Sequence, residues 1–442
     1  MRDLVFQLRK LLLIKGESSA RQMMSLLGLS QPTVSRTIRA LQEEIVVAGS
    51  GRTTLYSLKR EIRSLGFEFP VFIVDESGQA EHVADLVSIQ PRNWMVKSKI
   101  KEINSKTYSD LPYWLDDIRA AGFIGRLIPQ RFPELFFPKD IQRWVTDDHI
   151  QYLVTSAWDT IGNIIIGERP FELYTQNKHK QSPGIPLIKR GQEYQKLADE
   201  LVLLGEPGSS AGGEQPKFLT TKANTPVLVK FSPKDISPTA QRRKELLIAE
   251  HLCLEVLRES GFDAAKSEII EVGEQIFLEL ERFDRVGAFG RKGIISLNAI
   301  DLEFAGVIDS WRKVAIALLQ KKKITKEDFK EILLRYYFGL CTANGDMHAG
   351  NISFYSQGEK LLGLAPVYDM LPMDYSPIYE QARPFIFSPP NLLPNEKEFW
   401  IEVVPIAIKF WNRLIIHKKI SAEFKVVAKS WIDFLVQVTN RN

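Results

Sequence analysis

The stretch from Asp346 to Asp369 leaves the chain few ways to fold. It opens on a polar loop, Asp346-Met347-His348-Ala349-Gly350-Asn351, then alternates like a strand through Ile352-Ser353-Phe354-Tyr355. It turns at Gly358 and resumes apolar character from Leu361 to Val367 before reaching Asp369. Two strands joined by a polar turn bring Asn351 and Asp369 to the ends of one hairpin, close in space though separated in sequence. Two acids and an amide so placed suit in-line transfer of a phosphoryl group. Asp346 can orient a substrate hydroxyl and accept its proton, while Asn351 and Asp369 offer oxygens to Mg²⁺ on nucleotide phosphates. Magnesium takes carboxylate, amide and phosphate oxygen, so the chemistry needs neither a thiolate nor an imidazole cluster. The D-x-x-x-x-N spacing alone is weak, because short polar loops also cap strands and helices. His348 is a further candidate at the catalytic loop, either bracing it through hydrogen bonds or responding to substrate protonation. The pair Asn344-Gly345 before Asp346 reads as a flexible turn.

Chemistry-bearing residues also lie upstream, in a telling order. In Gly208-Ser209-Ser210-Ala211-Gly212-Gly213-Glu214-Gln215-Pro216-Lys217, small residues let backbone amides approach an anion, although Lys217 does not complete a Walker A pattern. The apolar strand Pro226–Phe231 is interrupted by Lys230, which can project toward nucleotide phosphates and asks for an acidic neighbour if withdrawn from water. A helix over Lys244 to Arg258 offers Glu245 and Glu250, and Glu250 is the expected partner. A hairpin around Gly273-Glu274 then runs into Glu281-Arg282-Phe283-Asp284-Arg285, where a strand edge at Glu281 and an apolar side chain such as Phe283 could receive an adenine. Each piece is weak alone, but their order over 208–369 agrees across levels.

These residues resemble the HipA family of bacterial serine/threonine kinases, the toxins of certain toxin–antitoxin systems, over roughly 66–435. The resemblance rests on Ser210–Lys217, Leu228-Val229-Lys230, Glu281–Arg285, Asn344–Asn351 and Leu364–Asp369. It implies ATP and Mg²⁺ as cofactors, with Asp346 as catalytic aspartate and Asn351 and Asp369 as metal ligands. It likewise implies Lys230 as the ATP-phosphate lysine, and Ser210, Gly212, Gly213, Gln215 and Lys217 in the phosphate loop. Ser210 falls at the family's autophosphorylated serine, whose added charge could expel that loop. The resemblance further implies a protein substrate of the aminoacyl-tRNA synthetase class, and an antitoxin or a second copy as partner.

The N-terminus adds something such toxins commonly leave to a separate protein. Residues 1–60 hold ten Lys or Arg against four Asp or Glu, an excess of +6, so the rest of this +4 chain sums to −2. A helix over Phe6–Leu13, a second capped by Ser18 or Ser19 and broken at Gly28, and a third capped by Ser30 form a helix-turn-helix pattern. Val34, Ile38 and Leu41 line one face of the third helix, and Gln31, Thr33, Ser35, Arg36 and Arg39 stand opposite, a mixture fit for base edges and phosphates. Strands at Ile45–Ala48 and Thr53–Leu58 would make a wing with Arg52 at its tip.

The expected fold is α+β: a winged helix-turn-helix over 1–62, a HipA-like N-terminal region with the kinase small lobe over 63–280, and a mainly helical large lobe over 281–442. Trp114, Phe123 and Leu127 read as packing residues, and Tyr174 to Gln192 as a long polar connection. The apolar series from Phe399 to Trp411 reads as the core of the large lobe rather than a membrane-surface helix. Cys253 and Cys341 are expected to be buried thiols, and the absence of a membrane-length apolar stretch or a cleavable leader points to the cytoplasm. Two other functions compete: a DNA-binding regulator whose kinase-like body only binds a nucleotide, and a small-molecule kinase.

Overall fold

Leu8 and Leu12, one helical turn apart, bury the inner face of α1 (Arg2–Lys15) against Met23, Val34 and Leu41. Ser19 starts α2 (Ala20–Leu27) with a capping box, its hydroxyl accepting from the Gln22 amide while the Gln22 side chain accepts from the Ser19 amide. Gly28 ends the helix in the left-handed conformation, φ 66°. Pro32 sits in the first turn of α3 (Gln31–Ala40), and Ser30 at its N-cap makes no capping bond, its hydroxyl meeting Thr33 Oγ1 at 2.9 Å instead. Gln31, Ser35, Arg36 and Arg39 are exposed on the outer side of α3 and Thr33 is half-buried. Three short strands, β1 (Glu17–Ser19), β2 (Ile45–Ala48) and β3 (Leu55–Leu58), pair antiparallel in the order β1-β3-β2.

The computed structural model describes residues 2–49, 51–180, 182–204, 215–377 and 381–440. Ser210, Gly212 and Gly213 lie outside the described residues, as does the side chain of Arg52. The chain divides into two units, one of Met1–Arg119, Gln142–His179 and Gly358–Lys360, the other of Ala120–Ile141, Lys180–Gln357 and Leu361–Asn442.

In the first unit the N-terminal helices share their frame with a five-stranded antiparallel sheet. Its strands are β4 (Glu68–Val74), β5 (Ala80–Ile89), β6 (Asn93–Ser98), β7 (Thr107–Tyr108) and β8 (Ile164–Ile166), in the order β7-β6-β5-β4-β8. Val46 of β2 packs onto Val87, Ile89 and Met95 of this sheet. The backbone continues the contact, with Arg60 N donating to Ser88 O at 3.0 Å and Gln90 N to Leu58 O at 2.9 Å. Arg60 then pairs with Asp147 at 2.8 Å. The polar connection expected from Tyr174 onward is instead helical through Lys180 and again from Arg190. Its polar residues face outward, while Tyr174 is buried and donates to Gly78 O at 2.8 Å.

The second unit begins its main sheet after the helix α4 (Arg190–Leu204). β9 (Lys217–Lys222), β10 (Thr225–Phe231), β11 (Ser267–Val272) and β12 (Gln275–Glu281) form an antiparallel sheet in the order β11-β12-β10-β9. Between them runs α5 (Pro238–Glu259), started by Ser237, whose hydroxyl accepts from the Ala240 amide at 3.1 Å. The period of two along β10 sends Val227, Val229 and Phe231 into a core with Tyr194, Phe218 and Phe277, and Lys230 to the opposite face. Leu127 joins that core and Phe123 packs against it, while Trp114 is buried in the first unit.

A second sheet of β13 (Gly293–Ser296), β14 (Ser353–Gln357) and β15 (Lys360–Leu364) accompanies the helices α6 (Leu297–Phe304), α7 (Trp311–Gln320) and α8 (Lys326–Cys341). Helices α9 (Lys397–Ile416) and α10 (Ala422–Asn440) close this part. Trp400, Val403, Val404, Phe410 and Trp411 of α9 are buried, so the apolar series is core. Cys253 and Cys341 are free and buried, and no described helix is long and apolar enough to cross a membrane.

Candidate active site

The second unit holds a cavity of about 740 Å³ lined by Lys217, Lys230, Glu250, Asp346, His348, Asn351 and Asp369 among others. Three elements supply it. The sheet brings Lys217 and Lys230 directly opposite one another in the β9–β10 register, so both lysines stand on one face. Helix α5 adds Arg243, Leu246, Leu247 and Glu250, whose spacing of three, four and seven defines a single helical stripe. The β14–β15 hairpin supplies Asn351 before its first strand and Asp369 after its second.

Lys230 joins the first two elements to the third. Its Nζ lies 2.8 Å from each Glu250 carboxylate oxygen and also pairs with Asp369 Oδ1; Lys230 and Glu250 are buried and Asp369 is half-buried. Burial opposes the charge of Lys230, but Asp369 and Glu250 outweigh it and raise its pKa above the usual range. Burial works against the Asp369 charge as well, yet Lys230 and Lys217 hold its carboxyl down at about 2. Burial pushes the Glu250 carboxyl upward against the pull of Lys230, leaving Asp369 the more firmly ionised of the two acids. Glu245, the other acid read on this helix, turns elsewhere and accepts from Tyr375 Oη at 3.1 Å.

The loop carrying Asp346 is pinned from several sides. Asn344 is buried, accepts from the Asp346 amide at 3.2 Å and donates to Asp369 O at 3.4 Å, so the expected flexible turn is a strut between the two acids. Met347 packs into the space left by Gly339 of α8, where any side chain would collide with its sulfur. Trp311 Nε1 donates to His348 O at 2.8 Å, and Tyr368 Oη donates to Gly350 O at 2.9 Å. His348 accepts at Nδ1 from the Gly350 amide at 3.1 Å, a bracing bond within the loop. Asn351 donates through Nδ2 to Asp346 O at 3.0 Å, which leaves its Oδ1 for the cavity. The Asp346 carboxylate takes no hydrogen bond or ion pair from the described residues. Asp369 itself adopts φ 50°, the left-handed region that an aspartate enters at a cost and that tight packing must hold.

Gln215 also lines the cavity, donating to Phe231 O. Glu281 and Phe283 do not line it: Glu281 faces Lys266 at 3.6 Å, and the Phe283 ring packs on Tyr368 with centroids 5.5 Å apart. Sequence reading missed Arg243, Asn344, Trp311, Tyr368 and Asp374. The helical stripe through Glu250 could have flagged Arg243, whereas the others are set by tertiary packing.

Comparison with known proteins gives matches across nearly the whole chain. Residues 65–175 match the model of the YjjJ-like toxin middle domain, and residues 209–388 that of the HipA-like C-terminal domain. The Toxin YjjJ of Escherichia coli (strain K12) is 33% identical, with 97% of each chain covered. Among solved structures, the Shewanella oneidensis MR-1 toxin–antitoxin complex of HipA, HipB and operator DNA aligns with a TM-score of 0.51 at 16% identity, over 84% of this chain and 97% of that one. The Helicobacter pylori proinflammatory kinase CtkA aligns with a TM-score of 0.36 at 16% identity, over 52% of this chain and 91% of that one.

Proposed function

The chain belongs to the YjjJ-like toxin family with a HipA-like C-terminal domain, and on that premise we propose that it is an ATP- and Mg²⁺-dependent serine/threonine protein kinase that also binds DNA. One observation carries the kinase reading: Lys230 ties Glu250 to Asp369 in a cavity that leaves the Asp346 carboxylate unengaged. Two lysines directly opposite on neighbouring strands repel one another. Lys230 already meets Glu250 and Asp369, so it is chiefly Lys217, opposite it across the strands, that favours an anionic ligand, and nucleotide phosphates fit that need.

The donor set also fits magnesium. Asn351 presents an amide oxygen fixed by its bond to Asp346 O, and Asp369 an ionised carboxylate. Magnesium typically takes one or two protein oxygens and completes its shell with phosphate oxygens and water. When bound, the metal would neutralise charge developing on the transferred phosphoryl group. Lys230 would hold the nucleotide phosphates, Glu250 would keep Lys230 in place, and Asp346 would align the acceptor hydroxyl and take its proton. Ser210 would be an autophosphorylated residue, and an aminoacyl-tRNA synthetase a protein substrate, as the family resemblance implies.

Transfer of labelled γ-phosphate from ATP by the purified chain, onto itself or added protein, tests this reading. Nucleotide binding without any incorporation would favour a regulator with an inactive kinase-like body, and incorporation confined to small molecules would favour a metabolite kinase. Gly339→Ala offers a finer check. Alanine suits a helix interior better than glycine by about 1 kcal/mol, which offsets part of the roughly 1–3 kcal/mol that displacing Met347 should cost. The displaced Met347 should also shift the Asp346 loop and slow transfer by up to about 10²-fold. Unchanged single-turnover rates would show that Met347 does not set the loop.

The DNA reading rests on α3, where Arg36 and Arg39 are exposed beside Gln31 and Ser35, and on the basic excess of residues 1–60. The order of the three helices and the β2–β3 pair, with Arg52 in the turn between those strands, supports the winged helix-turn-helix reading. Replacing both arginines by alanine should weaken DNA binding and lower the slope of log K against log salt by about 1 for each phosphate that is no longer neutralised. An unchanged slope in fluorescence anisotropy would remove α3 from the interface.

A further inference from the structure

Of the acids that line the cavity, two are already engaged. Lys230 takes Glu250 and Asp369, which leaves Asp346 and Asp374. The Asp374 carboxylate, like that of Asp346, receives no hydrogen bond or ion pair from the described residues. It is nevertheless held in place. Asp374 lies in the single helical turn Met373–Tyr375 just after Asp369, and its amide donates to Ala343 O at 3.1 Å. Its carboxylate fills the space that a side chain on Gly345 would need, against the residue that precedes Asp346. Asp374 is exposed, and the protein on its inner side raises its carboxyl above the usual range.

The cavity is therefore polarised. Lys217, Lys230 and Arg243 provide cations from the sheet and from α5, while Asp374 puts a second uncompensated carboxylate beside the candidate base. An exposed carboxylate on the cavity wall with no partner among the described residues attracts a cation delivered with the ligand. An acidic group arriving there meets like charge. We propose that Asp374 selects the phosphoryl acceptor, favouring a serine or threonine with a lysine or arginine side chain close to its hydroxyl. The inference rests on the kinase reading above and adds to it the charge of the acceptor.

Peptides with one serine, flanked by lysine, alanine or glutamate, test it with the full-length protein, ATP and Mg²⁺, read as ratios of kcat/KM. Wild type should prefer lysine-flanked over glutamate-flanked serine by about tenfold or more. Asp374→Asn, which keeps the side chain's shape, should reduce that ratio to about twofold, and Asp374→Lys should invert it. Thermal melting establishes that each variant is folded. The same preference in wild type and Asp374→Asn overturns the proposal. Weakened Mn²⁺–ATP binding by Asp374→Asn with peptide selectivity intact overturns it too, by assigning the residue to the metal. Wild-type transfer with no charge preference defeats this inference alone, whereas a wild type that transfers no phosphate to any acceptor defeats the kinase reading with it.

Discussion

Replacing Asp346 by asparagine is expected to slow phosphoryl transfer by about 10²–10⁴-fold while nucleotide affinity stays nearly unchanged. The separation follows from geometry. The backbone of Asp346 is fixed by its amide bond to Asn344 and by the Asn351 side chain on its carbonyl, and neither interaction uses the carboxylate. Asparagine therefore keeps the loop and removes the group that would accept the hydroxyl proton. Lys217 and Lys230, the residues best placed to hold phosphates, lie on the sheet and are untouched. Single-turnover transfer from labelled ATP, beside a fluorescent-nucleotide titration, reads both quantities. Equal incorporation by wild type and variant would sink the role assigned to Asp346.

Lys230→Met should cost both stability and activity. The substitution leaves the buried Glu250 and the half-buried Asp369 without their shared cation, and removing one member of a buried ion pair such as Lys230–Glu250 typically costs about 3–5 kcal/mol. Urea unfolding should report that loss, and Lys230→Met with Glu250→Gln should recover part of it without recovering transfer. The pH dependence has a definite sign. In the wild type, Asp369 at about 2 contributes stability that is present above the ordinary carboxylate value and lost as pH falls toward about 2. Without Lys230, Asp369 should join Glu250 above the unfolded value, near 4, and Glu250 should rise further. Their contribution is then greatest below that pH and fades as pH increases, so the variant's deficit should shrink in acid. A deficit constant from pH 8 to pH 5 would mean that Lys230 acts by packing rather than charge.

The part of this site that could be read from sequence was the part set by local periodicity. Lys230 announces itself as one charge in an apolar strand, Glu250 lies on a helix nearby, and Asn351 and Asp369 flank one hairpin. Their convergence on one cavity is a property of the folded chain. What escaped depends on residues distant in sequence. Asn344 looks like a loose turn until its amide is seen reaching across to Asp369. Asp374 has no pattern around it, and its place follows only from the approach to Gly345. Phe283 invited the adenine reading as an apolar residue after a strand, but Tyr368 packs against it. Strand β5 was missed for another reason: Glu81, His82 and Asp85 interrupt its hydrophobic run. The helix through Tyr174 was hidden by its polarity, since few of its residues are buried.

The seating of β2 on the five-stranded sheet decides how the DNA question can be asked. Cutting the chain after residue 62 would strip Val46 from Val87, Ile89 and Met95, leave the Ser88 carbonyl without the Arg60 amide, and abandon Asp147 by its cation. A truncated protein would present a sticky apolar face and a broken sheet margin, and its failure to act, or its clumping, would say nothing about operators. Surgical charge removal on α3 leaves that seam closed. In this chain the proposed reader of DNA is built into the masonry of its neighbour, and only its outermost side chains can be exchanged without disturbing the wall.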